Sequence, residues 1–231
     1  MVRIKICGIT NEKDGLKAAN LGAWALGFIF YKKSPRFISP TKAKKIIDEL
    51  PPFVTPVGVF VNHNLGAVRD IIHHCGLRAV QLHGDEDHHY CHRLRRYQVK
   101  IIKAFRVGTD FTPAVVEPFK VDAYLFDTFS TDAFGGTGTS FDWTLLKEVK
   151  SANIPIILSG GLNCQNVIEP VNGLKPYAVD VNSGVEEAPG KKDHTKMKDF
   201  MVRLATLAHH WIEESNHPER VTSEASNESK G

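Results

Sequence analysis

Residues 3–30, RIKICGITNEKDGLKAANLGAWALGFIF, hold an apolar run, a glycine turn, an amphipathic stretch and a second apolar run in close succession. Arg3 to Cys7 reads as a strand, Glu12 to Leu21 as a helix with Thr10 or Asn11 as its cap, and Trp24 to Phe30 as a second strand. A strand joined to the next through a helix implies parallel pairing, because parallel neighbours need a crossover. The same unit recurs along the chain. Further strands are expected at Val54 to Val61, Ala79 to Leu82, Val99 to Phe105, Ala123 to Asp127, Pro155 to Ser159 and Ala178 to Val181, making eight in all. The intervening helices are expected at Pro40 to Leu50 behind Ser39, Leu65 to Cys75, Glu86 to Tyr97, Trp143 to Ser151, Cys164 to Val171 behind Asn163, and Asp193 to Glu214. The weakest is Thr112 to Phe119, interrupted by Pro113 and Pro118. Eight such units predict a single α/β domain, a closed (β/α)8 TIM barrel of eight parallel strands spanning residues 1–214. An open doubly wound sheet is the runner-up, but GxGxxG does not follow the first strand; Gly135-Gly136-Thr137-Gly138 falls after the sixth. Residues 215–231 are polar and Ser/Glu-rich, and are expected to be a disordered tail.

Composition narrows the function classes. A chain of 231 residues, 42% hydrophobic and 24% charged, can bury a substantial core. A net charge of +3 with interspersed signs offers no basic stripe, so neither nucleic acid nor a membrane surface is an expected partner, and a small molecule is. The cysteines at 7, 75, 91 and 164 show no CxxC spacing, which fits reduced thiols in a cytoplasmic protein. No signal peptide precedes the first strand, and the apolar runs are far shorter than a membrane span. Oligomeric state is left open.

A barrel does its chemistry where the strands end, because eight loops converge there on one mouth. Those ends carry polar groups on otherwise apolar strands: Cys7 after the first, Arg36 beyond the second, Gln81 and His83 at the fourth, and Asp127 at the sixth. Ser159-Gly160-Gly161 ends the seventh strand and Asp180-Val181-Asn182-Ser183-Gly184 the eighth. Glycines there leave backbone N–H groups open, and barrels frequently bind phosphate between strands seven and eight.

These segments also carry a family likeness. Lys5-Ile6-Cys7-Gly8-Ile9-Thr10, Gly27-Phe28-Ile29-Phe30-Tyr31, Ser34-Pro35-Arg36, Val57-Gly58-Val59-Phe60-Val61, Gln81-Leu82-His83-Gly84, Leu125-Phe126-Asp127-Thr128, Gly135-Gly136-Thr137-Gly138 with Phe141-Asp142-Trp143, Leu158-Ser159-Gly160-Gly161-Leu162-Asn163, and Val179 to Glu186 with Pro189-Gly190-Lys191-Lys192-Asp193 stand in an order that resembles the phosphoribosylanthranilate isomerases of tryptophan biosynthesis. The likeness covers nearly the whole chain up to the final helix. It implies an Amadori rearrangement of a phosphorylated aminosugar, with Cys7 as general base and Asp127 as general acid, without metal or organic cofactor. It further implies that Arg36 faces the anthranilate carboxylate and that Gly161, Asn182, Ser183 and Gly184 line a phosphate cup. Gly160, Gln81, His83 and Asp180 complete the expected substrate-binding set.

The chemistry makes a demand on both partners. A free thiol titrates near 8.5 and a free aspartic acid near 3.9, so each ordinarily rests in the wrong form. Burial beside Phe126 and Phe129 is expected to raise Asp127, and Lys5 or the start of the following helix to lower Cys7. Cys164, near a helix start, reads as a bystander thiol. His88, Cys91 and His92 share a helical spacing that suits a metal but read better as an outer helix, as do His73 and His74. A metal-dependent phosphosugar epimerase or lyase on the same barrel would need ligands at several strand ends, and only His83 fits. A non-catalytic phosphate-binding module would tolerate loss of Cys7 or Asp127, yet both are present.

Overall fold

The computed structural model describes residues 2–108, 111–127, 146, 149 and 154–216. Eight parallel strands, β1 (Arg3–Ile6), β2 (Ala25–Ile29), β3 (Thr55–Phe60), β4 (Ala79–Leu82), β5 (Lys100–Arg106), β6 (Ala123–Asp127), β7 (Ile156–Ser159) and β8 (Ala178–Val181), pair in sequence order, and β8 closes on β1. This is the closed barrel expected from the alternation, each strand lying within two residues of its predicted bounds. Between them run α1 (Glu12–Asn20), α2 (Pro40–Asp48), α3 (Leu65–Cys75), α4 (His88–Leu94) and α5 (Ile168–Leu174), and the described part ends in α6 (His194–Asn216).

Two apolar layers follow from the period-two alternation of a strand. Val57, Ala79, Ile102, Ala104, Ala123, Leu125, Ile157 and Ala178 form a cluster along the barrel axis. The alternate positions, such as Ile6, Leu26, Phe28, Phe60, Tyr124 and Phe126, join the larger core beneath the helices. Each fully buried Leu, Ile or Phe there contributes about 1.5–3 kcal/mol. Caps stop the helices from unwinding into that layer. Asn11 Oδ1 accepts from Asp14 N at 2.9 Å, and Ser39 Oγ from Lys42 N at 3.3 Å ahead of Pro40.

Four expectations need adjustment. The segment Thr112 to Phe119 forms only a 3-10 turn at Pro113–Val116, consistent with two prolines that remove amide donors. Asn163 caps a turn rather than a helix: its Oδ1 accepts from Gln165 N and Asn166 N, but α5 starts at Ile168. Pro170 has no N–H to offer the Asn166 carbonyl, which separates the turn from the helix. A short antiparallel hairpin, β9 (Glu186–Ala188) and β10 (Lys191–Lys192), occupies what read as a plain loop after β8. The last helix continues through Ser215 and Asn216, and residues 217–231 of the expected tail lie outside the described residues. Gly135 to Gly138 and Phe129 also lie outside them. Of the helix expected at Trp143 to Ser151, only Leu146 and Val149 are described; both are helical and buried.

Candidate active site

Period two decides which side chains reach the barrel mouth. Lys5 and Cys7, Gln81 and His83, and Asp180 and Asn182 are pairs two residues apart, carried up the inside of β1, β4 and β8. Asp127 and Ser159 end β6 and β7. Cys7, Arg36, Gln81, His83, Asp127, Ser159, Gly160, Gly161, Asp180, Asn182 and Ser183 line one cavity of about 420 Å³ at the carboxyl ends of the strands. Ten of the eleven residues singled out from the sequence are therefore brought together. Gly184 is not among the lining residues. A Cβ there would lie 1.9 Å from the Leu162 carbonyl oxygen, so this glycine lets the β7 and β8 loops touch. A larger space of about 610 Å³ opens beside the first, between Lys103, Phe105, Phe111 and Phe119. It shares His83 but neither Cys7 nor Asp127, so the two residues expected to act as base and acid belong to the smaller cavity.

Cys7 extends the β1 ladder by one bond, its N–H donating to Val181 O at 2.9 Å. Its thiol fits because β2 carries Gly27 opposite: a Cβ at Gly27 would stand 2.6 Å from Cys7 Sγ. Burial pushes the thiol above its ordinary value, although Lys5 and Lys192 pull it down. The expected lowering by Lys5 is present but outweighed, because Cys7 is only 5% exposed. At rest the group is a thiol.

Beneath it, Lys5 Nζ donates to Asp180 Oδ2 at 2.7 Å, with both side chains 4% exposed. The two residues face each other in the β1–β8 register. Burial works against the charge on Lys5, but Asp180 and Cys7 outweigh it and strengthen its hold on its proton. Asp180 is itself raised by burial, against the pull of Lys5. Its Oδ1 and the buried Gln81 Oε1 accept no hydrogen bond among the described residues. Two acceptors in this state suit donors on a ligand such as sugar hydroxyls.

Gln81 Nε2 lies 3.1 Å from His83 Nδ1, and His83 Nε2 lies 3.1 Å from Asp127 Oδ2. With the amide nitrogen donating to Nδ1, the ring of His83 is turned so that Nε2 is directed at Asp127. Asp127 thus stands at the end of a three-residue chain that fixes its carboxyl group. Its predicted neighbour Phe126 packs in the outer core.

At the opposite wall, the Arg36 guanidinium is held by its Nε–Nη2 edge. Nε donates to Glu186 at 2.9 and 3.0 Å and Nη2 at 2.7 Å. Glu186 also accepts from Lys192 Nζ at 3.0 Å, and Lys192 reaches Asn182 Oδ1 at 2.9 Å. Reading strand ends alone missed Glu186 and Lys192 as members of the site. The Pro189-Gly190 dipeptide between them was the available signal for a tight hairpin. Gly160 and Gly161 both adopt positive φ, +98° and +60°, and turn the β7 loop against the cavity.

No group of three or more His, Cys, Asp or Glu side chains suited to a metal ion occurs among the described residues. On α4, Cys91 faces the core while His88 and His92 are exposed. Cys164 lies outside the cavity, its Sγ 3.7 Å from Lys196 O. No helix among the described residues is long and apolar enough to cross a membrane.

The chain is similar to known proteins in sequence and in fold. A family model described as N-(5'phosphoribosyl)anthranilate (PRA) isomerase matches residues 4–203. A protein named N-(5'-phosphoribosyl)anthranilate isomerase from Geotalea uraniireducens (strain Rf4) is 48% identical over 207 residues, covering 90% of this chain and 100% of the relative. The crystal structure of phosphoribosyl anthranilate isomerase from Thermotoga maritima is 43% identical, with a TM-score of 0.78 over 88% of this chain and 98% of that one. A structure of phosphoribosyl anthranilate isomerase in complex with reduced 1-(o-carboxyphenylamino)-1-deoxyribulose 5-phosphate is 41% identical, with a TM-score of 0.76 and the same coverage.

Proposed function

The chain belongs to the N-(5'-phosphoribosyl)anthranilate isomerase family, and from that premise we propose how its residues divide the reaction. The protein is an isomerase of tryptophan biosynthesis. It rearranges N-(5-phosphoribosyl)anthranilate, an aminoaldose, to 1-(2-carboxyphenylamino)-1-deoxyribulose 5-phosphate, the ketose. In the proposed division, Asp127 protonates the ring oxygen of the substrate, opening the ring to a Schiff base. Cys7, as thiolate, then removes the C2 proton, and the enolamine collapses to the ketose. The substrate's own amine is the electron sink, so the steps proceed by proton transfer alone, each worth roughly 10²- to 10⁴-fold when correctly placed.

One observation carries this reading: Cys7 and Asp127 line the same cavity of about 420 Å³ with Arg36 at its rim and the glycine turn of β7 beside Ser183. A buried thiol and a histidine-held carboxyl group supply one base and one acid. Arg36 offers a planar, permanently charged fork to the anthranilate carboxylate. Gly160, Gly161, Asn182 and Ser183 would surround the phosphate, and Gln81 and Asp180 would take the sugar hydroxyls with their open acceptors. The barrel domain is assigned to residues 1–214, and the protein's partner is its phosphorylated substrate. Cytoplasmic residence is part of the same proposal, supported by four free cysteines.

The test follows loss of anthranilate fluorescence when the purified protein meets freshly generated phosphoribosylanthranilate, beside Cys7→Ser and Asp127→Asn. Rapid turnover by the wild type and a loss of two or more orders of magnitude in each variant is the expected result. A variant that keeps more than about a tenth of the activity removes its residue from the assigned role.

A further inference from the structure

Arginine is long and flexible, and a substrate carboxylate gains from it in proportion to how well the fork is aimed beforehand. The aiming group here is a buried anion. Glu186 is 7% exposed and takes both Nε and Nη2 of Arg36, Nζ of Lys192 and, at 3.2 Å, the N–H of Gly190. Burial alone would raise this carboxyl group, but the bonds from Arg36 and Lys192 outweigh it and keep it ionised. The hairpin that carries Glu186 is itself anchored, since the N–H of Lys192 donates to Asp14 Oδ2 on α1 at 2.8 Å. The side chains converge above Gly8, where a Cβ would meet Asn182 Oδ1 at 2.6 Å and Arg36 Cδ at 3.0 Å.

Charge counting adds a second line. Arg36 and Lys192 bring two positive charges to one buried wall, and each disfavours the other. Glu186 lies between them and accepts from both, which offsets one of those charges and fixes the orientation of the fork. With the Nε–Nη2 edge taken, Nη1 makes no hydrogen bond among the described residues and remains for a ligand.

We propose that Glu186 is a positioning residue for the isomerisation, clamping one edge of Arg36 so that its other edge is presented to the carboxylate on the substrate's aromatic ring. The assignment rests on the isomerase reading and on Arg36 meeting that carboxylate.

The experiment measures binding of two ligands to the full chain by calorimetry: the reduced product analogue carrying the ring carboxylate, and its counterpart with a plain phenylamino ring. Glu186→Gln keeps the shape and removes the charge. Its affinity for the carboxylate ligand should fall on the order of tenfold, the worth of one charge-assisted hydrogen bond, while the plain ligand binds both proteins equally. In turnover, KM should rise by a similar factor with kcat changed by less than about twofold. Glu186→Asp should recover part of the loss, and Glu186→Gln added to Arg36→Ala should cost nothing further. Equal weakening of both ligands, or unchanged or tighter binding of the carboxylate ligand, overturns the clamp. A wild type that binds the analogue but does not convert the substrate sinks the isomerase reading instead, and the ligand pair still judges Glu186.

Discussion

Asp180→Asn keeps the shape of its side chain and takes away the anion 2.7 Å from Lys5 Nζ, in a place where both groups are 4% exposed. Removing one partner of a buried pair typically costs about 3–5 kcal/mol. An independent bound comes from the lysine, which can escape by giving up its proton. Its ordinary value of 10.5 stands 3.5 units above pH 7, and at about 1.36 kcal/mol per unit the penalty cannot pass about 5 kcal/mol. Relief of the carboxylate's own desolvation works the other way, so a loss of about 4 kcal/mol at pH 7 is the expectation. The sign of the pH dependence then separates this account from a general packing defect. In the wild type Lys5 is raised, so its contribution is fully present below 10.5 and is lost only as pH rises through the higher folded value; it is flat between pH 7 and 9. In the variant Lys5 is neutral when folded and charged when unfolded. The unfolded chain then binds one more proton, and stability climbs with pH by about 1.36 kcal/mol per unit. The deficit should therefore shrink by about 2.7 kcal/mol between pH 7 and 9. Urea unfolding at both pH values measures it, and Lys5→Met added to Asp180→Asn should recover much of the loss at pH 7. A deficit under about 1 kcal/mol, or one that does not change with pH, refutes the reasoning.

Three further outcomes follow from other contacts. In the proposed division the reactive pair, acid protonated and base ionised, holds one proton in all, so kcat/KM falls in acid as the pair takes up a second and again when alkali strips the thiol. Burial raises Cys7 above its ordinary 9.0, which places the alkaline limb above pH 9; a wild-type alkaline limb centred below pH 8 would contradict it. Gly27→Ala puts a methyl group 2.6 Å from Cys7 Sγ and 3.1 Å from its Cα, and should cost about 1–3 kcal/mol in thermal unfolding and on the order of a hundredfold in kcat. Full activity in that variant would show that the thiol's position is not what matters. Tyr124→Phe removes bonds to Phe119 O at 2.9 Å and Val116 O at 3.2 Å, and should lower stability by about 1–2 kcal/mol with kcat/KM unchanged.

The alternation of apolar runs and amphipathic stretches was enough to place all eight strands, because parallel strands buried on both sides leave a strong local trace. From strand ends came Cys7, Asp127 and the residues around them. The hairpin β9–β10 left no such trace. Its strands are three and two residues long, too short for any periodicity, and Glu186 and Lys192 look like ordinary surface charges. What gives Glu186 its place is Arg36, 150 positions earlier. The close packing at Gly184 was hidden for a related reason: the proximity of the Leu162 carbonyl is a fact about two loops, invisible in either. The direction of the Cys7 shift depended on depth of burial, and a neighbouring lysine in the sequence says nothing of depth.

Closure of the barrel by β8 against β1 also sets a schedule for making the enzyme. Lys5 waits 175 positions for Asp180, and Cys7 waits as long for the strand that accepts its amide. A nascent chain emerging from the ribosome therefore holds Cys7 on an unpaired edge, exposed to wrong pairing, until β8 has been synthesised. Such long-range contacts fold slowly, and catalytic competence arrives with the final units rather than accumulating along the way. A product truncated before Ala178 lacks together the closing strand, the anion for Lys5 and the carboxylate that holds Arg36.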